Sequence, residues 1–208
     1  MTRKSAAGPP RRARQVVARP HVFILVEGKK TEGSYLLAYQ RSLQDRVLVT
    51  IDEQGGAPMT LVERAVKVTR AGALEERKGR GRAYDSVWCV FDRDEHPNID
   101  NALRLAAANG INVAFSDPCL ELWFLLHFQP QTAGLHRDEA QLLSRAYLKC
   151  DKTLNAAASA SLSKRHDLAC GRAQALDAKH AGDGSPPRSN PSSDMWRLIE
   201  ELGTITSR

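Results

Sequence analysis

The chain has 208 residues, 42% hydrophobic and 26% charged, a size and balance that suit one well-packed domain with at most a small appendage. No run approaches the roughly 18 apolar residues of a membrane span, and the basic N-terminus lacks the apolar stretch of a secretory signal. Cys89, Cys119, Cys150 and Cys170 are widely spaced with no CxxC pair, which argues against a zinc site or a disulfide frame and for reduced thiols in a cytoplasmic protein.

The formal net charge of +6 is unevenly spread: 30 basic residues stand against 24 acidic ones. Arg3, Lys4, Arg11, Arg12, Arg14 and Arg19 all fall before residue 21, where there is no acid, so the remainder is formally neutral. Residues 1–19, with Gly8-Pro9-Pro10, read as a flexible arm. Such an arm binds nucleic-acid phosphates without reading sequence, and Arg11, Arg12 and Arg14 are the candidates for that contact. A purely solubilising tail has the same composition.

The body begins with Val22 to Val26, an unbroken apolar run rich in β-branched residues, which predicts a strand buried on both faces from His21 to Glu27. A helix is expected from Thr31 to Leu43, capped by Thr31 or Ser34. Alternating Val47, Val49 and Ile51 predict a second strand from Arg46 to Ile51, followed by a loop at Gln54-Gly55-Gly56-Ala57-Pro58 and a helix over 59–77. The basic turn Lys78-Gly79-Arg80-Gly81-Arg82 is expected to be a solvated loop. Ser86 to Phe91 predicts a third strand. Asn98 then caps a helix over 99–108 that ends at Gly110, and Ile111 to Phe115 is the fourth strand. This β-α-β-α-β-α-β order implies a mostly parallel sheet. Cys119 to Phe128 is apolar nearly all round and predicts a deeply buried helix. Amphipathic helices follow over 136–149, as one or two over 154–180, and over 194–202, the last capped by Ser192 or Ser193. The expected organisation is an arm (1–19), an α/β core (20–128) and a C-terminal helical extension packed on it (129–208).

Two strand ends carry the chemistry. The first delivers Glu27, then Gly28, Lys29 and Lys30; the third delivers Asp92-Arg93-Asp94-Glu95. In open α/β sheets, ligands bind beyond the carboxyl ends of the strands. Asp92 and Asp94, two apart, point the same way along an extended segment. Glu27, Asp92 and Asp94 are therefore the candidate catalytic residues and ligands for Mg²⁺ or Mn²⁺, which favour hard oxygen donors. Lys29 and Lys30 are candidates for holding a phosphate. Glu32 and Glu121 are candidates for a second ion or for support of the first. A solvent salt bridge is the plainer role for Glu32, and a favourable helix-dipole position is the plainer role for Glu121. His127, at the end of the apolar helix, reads as a core histidine. No P-loop, GxGxxG or HExxH motif is present.

Strand-Glu-Gly and strand-Asp-x-Asp together resemble a Toprim domain, the metal-dependent fold of topoisomerases, primases and OLD-type nucleases. Four segments carry a closer resemblance, to the RloB-like family of small Toprim proteins found with restriction and phage-defence genes. They are VEGKKTEGSYL, FDRDEH, SDPCLELWFLLHF and NPSSDMWRLIEEL, running in family order from Val26 to Leu202. The family more often has an acid at Lys29, Pro-Asn at Gly33-Ser34, and Asn at Asp117. The resemblance implies a Toprim-like, Rossmann-type, four-stranded sheet flanked by helices. It further implies a Mg²⁺- or Mn²⁺-dependent nuclease acting on DNA or RNA as a defence effector, with a separate ATPase subunit. A non-catalytic nucleic-acid-binding or regulatory Toprim module is the alternative.

Overall fold

The computed structural model describes residues 18–28, 30–43, 46–93, 98–151 and 153–206. The chain alternates strand and helix: β1 (His21–Val26), α1 (Thr31–Ser42), β2 (Leu48–Asp52), α2 (Pro58–Arg77), β3 (Ser86–Asp92), α3 (Ile99–Ala108) and β4 (Asn112–Asp117). Helices α4 (Glu121–Leu126), α5 (Arg137–Leu148), α6 (Ala156–Ser163) and α7 (His166–Gly182) follow, then a two-residue strand β5 (Ser192–Ser193) and α8 (Met195–Thr206). The sheet order is β2-β1-β3-β4-β5. The first four strands are parallel and β5 is antiparallel to β4. This α/β sheet, flanked by helices and closed by a C-terminal helical segment, is compatible with a Toprim-like fold.

The unbroken apolar runs follow from burial on both faces. Val22, Ile24 and Val26 of β1, with Trp88 and Val90 of β3, pack into one core beside residues of α1, α4, α7 and α8. Phe23 and Leu25, with Val87, Cys89 and Phe91, pack into the other beside α2 and α3. Side chains alternate along a strand, so each face takes every second residue and neither leaves room for a polar one.

The fold departs from the sequence expectation in three places. The sheet has five strands, not four. Ser116 and Asp117, expected beyond the fourth strand, extend it, because Ser193 and Ser192 pair with them in antiparallel register. The Ser116 and Ser193 hydroxyls lie 3.0 Å apart, and Asp194 N donates to Phe115 O at 2.7 Å. Neither Thr31 nor Ser34 caps α1; Lys30 stands at its N-cap without a side-chain bond, and Ser34 Oγ donates back to Thr31 O. Asn98 occupies the N-cap of α3, also without a side-chain bond. Ser193 does accept from Met195 N, at 3.4 Å. The Ala-rich stretch divides into α6 and α7, with Asn155 capping α6 by accepting from Ala158 N at 2.8 Å.

Helix α4 is deeply buried: Leu122, Trp123, Phe124, Leu125 and Leu126 are at most 1% exposed. His127, just beyond it, is fully buried. Its Nδ1 donates to Trp123 O at 2.8 Å, while Nε2 has no partner among the described residues. Burial pushes its pKa down to about 3 and that of the neighbouring His166 down to about 4. Both histidines are neutral in the folded state and bind protons more readily once unfolded. Their contribution to stability is therefore full above pH 6.5 and declines as pH falls from there towards 4. His127→Asn keeps a donor for Trp123 O but cannot titrate in this range. Comparing its urea unfolding with the native chain's between pH 7.5 and 4.5 should show a shallower acid loss in the variant; parallel curves would refute the assignment.

Candidate active site

Strand register brings the first two acids together. β1 and β3 are neighbours with Val26 opposite Val90, so the strands end side by side. Glu27 N donates to Val90 O at 3.1 Å, and Asp92 N donates to Glu27 Oε2 at 3.2 Å. The Glu27 carboxylate thus lies across the end of β3. Asp92 follows Trp88 and Val90 by the two-residue alternation, which turns its side chain to the face carrying α1 and α4.

Those helices supply two more acids. Glu27, Glu32, Asp92 and Glu121 line one cleft of about 290 Å³, with Lys30 and Arg137 also on its walls. Glu32 and Asp92 are buried, at 8% and 7% exposure. Burial first, then the charges of Glu32, Glu121 and Glu27, hold the Asp92 carboxyl well above its ordinary pKa. Burial, reinforced by Glu27 and Glu121, pushes Glu32 up to about 7. Backbone N–H groups, including that of Gly28, partly counter this. A Cβ at Gly28 would sit 2.5 Å from Glu32 Oε2, so only glycine lets Glu32 fold back over the loop. Four mutually repelling carboxylates at the C-terminal edge of a sheet form a site built for positive charge.

A loop braces the same edge. Gly55 has φ +75, and a Cβ there would lie 2.8 Å from Glu27 O. Arg64 of α2 fixes this loop, with Nη1 donating to Gly55 O at 2.7 Å and Nη2 to Asp52 Oδ2 at 2.8 Å. The Gly-rich stretch was legible as a loop; its contact with Glu27 was not.

Of the other predicted residues, Lys30 lines the cleft. Lys29, Asp94, Arg11, Arg12 and Arg14 lie outside the described residues. The basic turn at 78–82 is at the opposite edge of the sheet, where Arg82 pairs with Asp85 at 2.7 Å and donates to Arg19 O. Arg93, next to Asp92, turns aside: Nε meets Asp117 Oδ2 at 2.6 Å, and its guanidinium lies over the Phe115 ring. Sequence reasoning missed Arg137 and Gln141 of α5, which close the cleft opposite the acids. One signal was available: an arginine at the first position of a helix opposes the macrodipole and calls for a reason.

A family model described as RloB-like protein matches residues 22–202. The chain belongs to the RloB-like family. No curated protein matches it. In this RloB-like chain the match spans all four quoted segments, and the fold explains why the last two belong together: β5 pairs with the end of β4, and Asp194, just before α8, donates to Phe115 O. Asn190, just before β5, is tied to the loop ahead of α5, accepting from Leu135 N and donating to Leu135 O, both at 2.9 Å. Asp117, where the RloB-like family more often has Asn, is buried and has Arg93 as its counter-ion, which such a buried charge requires.

The cleft's donors fit a hard divalent cation. All four acids offer carboxylate oxygens, and Mg²⁺ takes only one or two protein carboxylates, completing its shell with water and phosphate. Among the described residues no three His, Cys, Asp or Glu side chains are grouped as a ready-made metal cage; the predicted third ligand, Asp94, lies outside them. Among the described residues no helix is long and apolar enough to cross a membrane.

Proposed function

We propose that this RloB-like chain is a Toprim-type, divalent-cation-dependent nuclease that hydrolyses phosphodiester bonds of DNA or RNA. It acts in the cytoplasm as a phage-defence effector, with nucleotide energy supplied by a separate ATPase. One observation carries the reading: Glu27 and Asp92, from adjacent strand ends, meet in a cleft that Glu32 and Glu121 also face.

Bound Mg²⁺ or Mn²⁺ would offset phosphate charge and ease deprotonation of the attacking water. Asp92 and Asp94 would hold the cation, with Glu32 and Glu121 as further ligands or supports. Glu27 takes the proton of the attacking water as its oxygen bonds to phosphorus. The phosphorus–oxygen bond to the leaving sugar breaks, and that oxygen takes a proton from solvent water as it departs. Lys30 holds a non-bridging oxygen.

Purified protein should cut nucleic acid with Mg²⁺ or Mn²⁺ and stop on addition of EDTA. Glu27→Ala should abolish cutting without unfolding the chain. A second reading has its own support: the Glu27 carboxylate already accepts Asp92 N, as a purely structural strand-end acid would. Salt-sensitive binding without cutting of any nucleic acid would favour that non-catalytic module. Cutting that survives both EDTA and Glu27→Ala would remove the site assignment.

A further inference from the structure

We infer that α5 is the substrate wall of the cleft, with Arg137 binding the phosphate to be cleaved and Gln141 and Arg145 guiding the strand away from it. The inference rests on the nuclease reading and extends it to residues that reading did not use. Arg137 stands on α5, separate from the elements that bring Glu27, Glu32, Asp92 and Glu121 to the cleft, and its Nη2 lies 4.0 Å from Asp92 Oδ2. Its side chain is 37% exposed against 11% for Asp92, so the guanidinium lies at the mouth and the carboxylate at the floor. An anion arriving at the mouth would meet the guanidinium there, above any cation that the acids would hold.

The cleft continues along the same helix. Thr31, Glu121 and Gln141 border both the cleft and a narrower extension that adds Ser144 and Arg145. Residues 137, 141 and 145 recur every fourth position and share one helix face. They span about 12 Å at roughly 1.5 Å per residue, a length that matches a few phosphates at roughly 3.4 Å of rise on one strand; the extension itself holds only about 10 Å³, so the strand would run over it. Arg145 Nε is 3.3 Å from Asp151 on a mostly exposed pair, an attachment a phosphate replaces at small cost. Guanidinium suits this task because its planar fork grips two phosphate oxygens and stabilises charge that grows in the transition state.

The test uses the full chain with Arg137→Gln, Arg137→Lys and Arg145→Gln. Fluorescein-labelled single-stranded DNA and RNA 20-mers are titrated by anisotropy with Ca²⁺ in place of Mg²⁺, and cleavage is followed separately with Mg²⁺. Arg137→Gln should weaken binding about tenfold and lower kcat about a hundredfold, with melting temperature and half-saturating Mg²⁺ unchanged. Arg137→Lys should recover binding but not kcat. Arg145→Gln should weaken binding severalfold and spare kcat. If the native chain cuts and Arg137→Gln cuts and binds equally well, the inference fails and the nuclease reading stands. If Arg137→Gln shifts only the Mg²⁺ requirement, Arg137 serves the acids and the inference fails. If the native chain binds the oligonucleotides without cutting them and Arg137→Gln loses that binding, the wall stands and the nuclease reading falls. If the native chain neither binds nor cuts, both fall.

Discussion

Asp92→Asn should lower cleavage by about a thousandfold or more, ~4 kcal/mol of transition-state stabilisation, while leaving the metal-free protein as stable as the native chain or more so. The two effects share one cause. Asp92 is buried among Glu27, Glu32 and Glu121, and burial and their charges together disfavour its ionised form. Asparagine keeps the shape and the backbone N–H that Glu27 accepts but removes the repelled charge. A structural acid would behave oppositely, losing stability and sparing activity. Melting temperature without metal, read beside single-turnover cleavage with Mg²⁺, separates the two. Loss of stability with retained cleavage would make Asp92 a structural residue.

Trp123→Ala should cost about 3–5 kcal/mol, a large share of the roughly 5–15 kcal/mol that holds a domain folded. Trp123 is fully buried in the core that joins α1, α4 and α7 to the sheet. Its replacement by alanine opens a cavity two residues from Glu121, so the cleft should loosen along with the fold. Trp123→Phe is the informative control. Neither the indole N–H nor the Tyr35 hydroxyl beside it makes a hydrogen bond of good geometry among the described residues, so phenylalanine gives up volume and little polar energy. Its cost should stay below about 1.5 kcal/mol. Urea unfolding at constant slope measures both; equal costs would mean that the indole N–H, not packing, is what the site needs.

The parallel sheet was legible because its strands are buried on both faces and therefore write continuous apolar runs, as in Val22–Val26 and Val87–Phe91. The meeting of Glu27 with Asp92 was legible for the same reason: both stand where such a run stops. β5 was not, because two serines gain their strand conformation only from partners distant in sequence, Ser193 opposite Ser116 and Ser192 opposite Asp117. Arg137 was hidden similarly. Nothing local to α5 says which element its first turn faces, and only tertiary packing sets it opposite Asp92. Gly55 read as a loop glycine, whereas its positive φ and its closeness to Glu27 O make it part of the site's frame.

In the proposed site, carboxylates from separate strands grip one divalent ion. Calorimetric titration of Mn²⁺ into the native chain, Glu27→Gln and Asp92→Asn, with no nucleic acid present, tests it most directly. Saturable binding by the native chain that is weakened at least tenfold in Asp92→Asn and reduced in Glu27→Gln is the expected result. Equal Mn²⁺ affinity in all three proteins would contradict it.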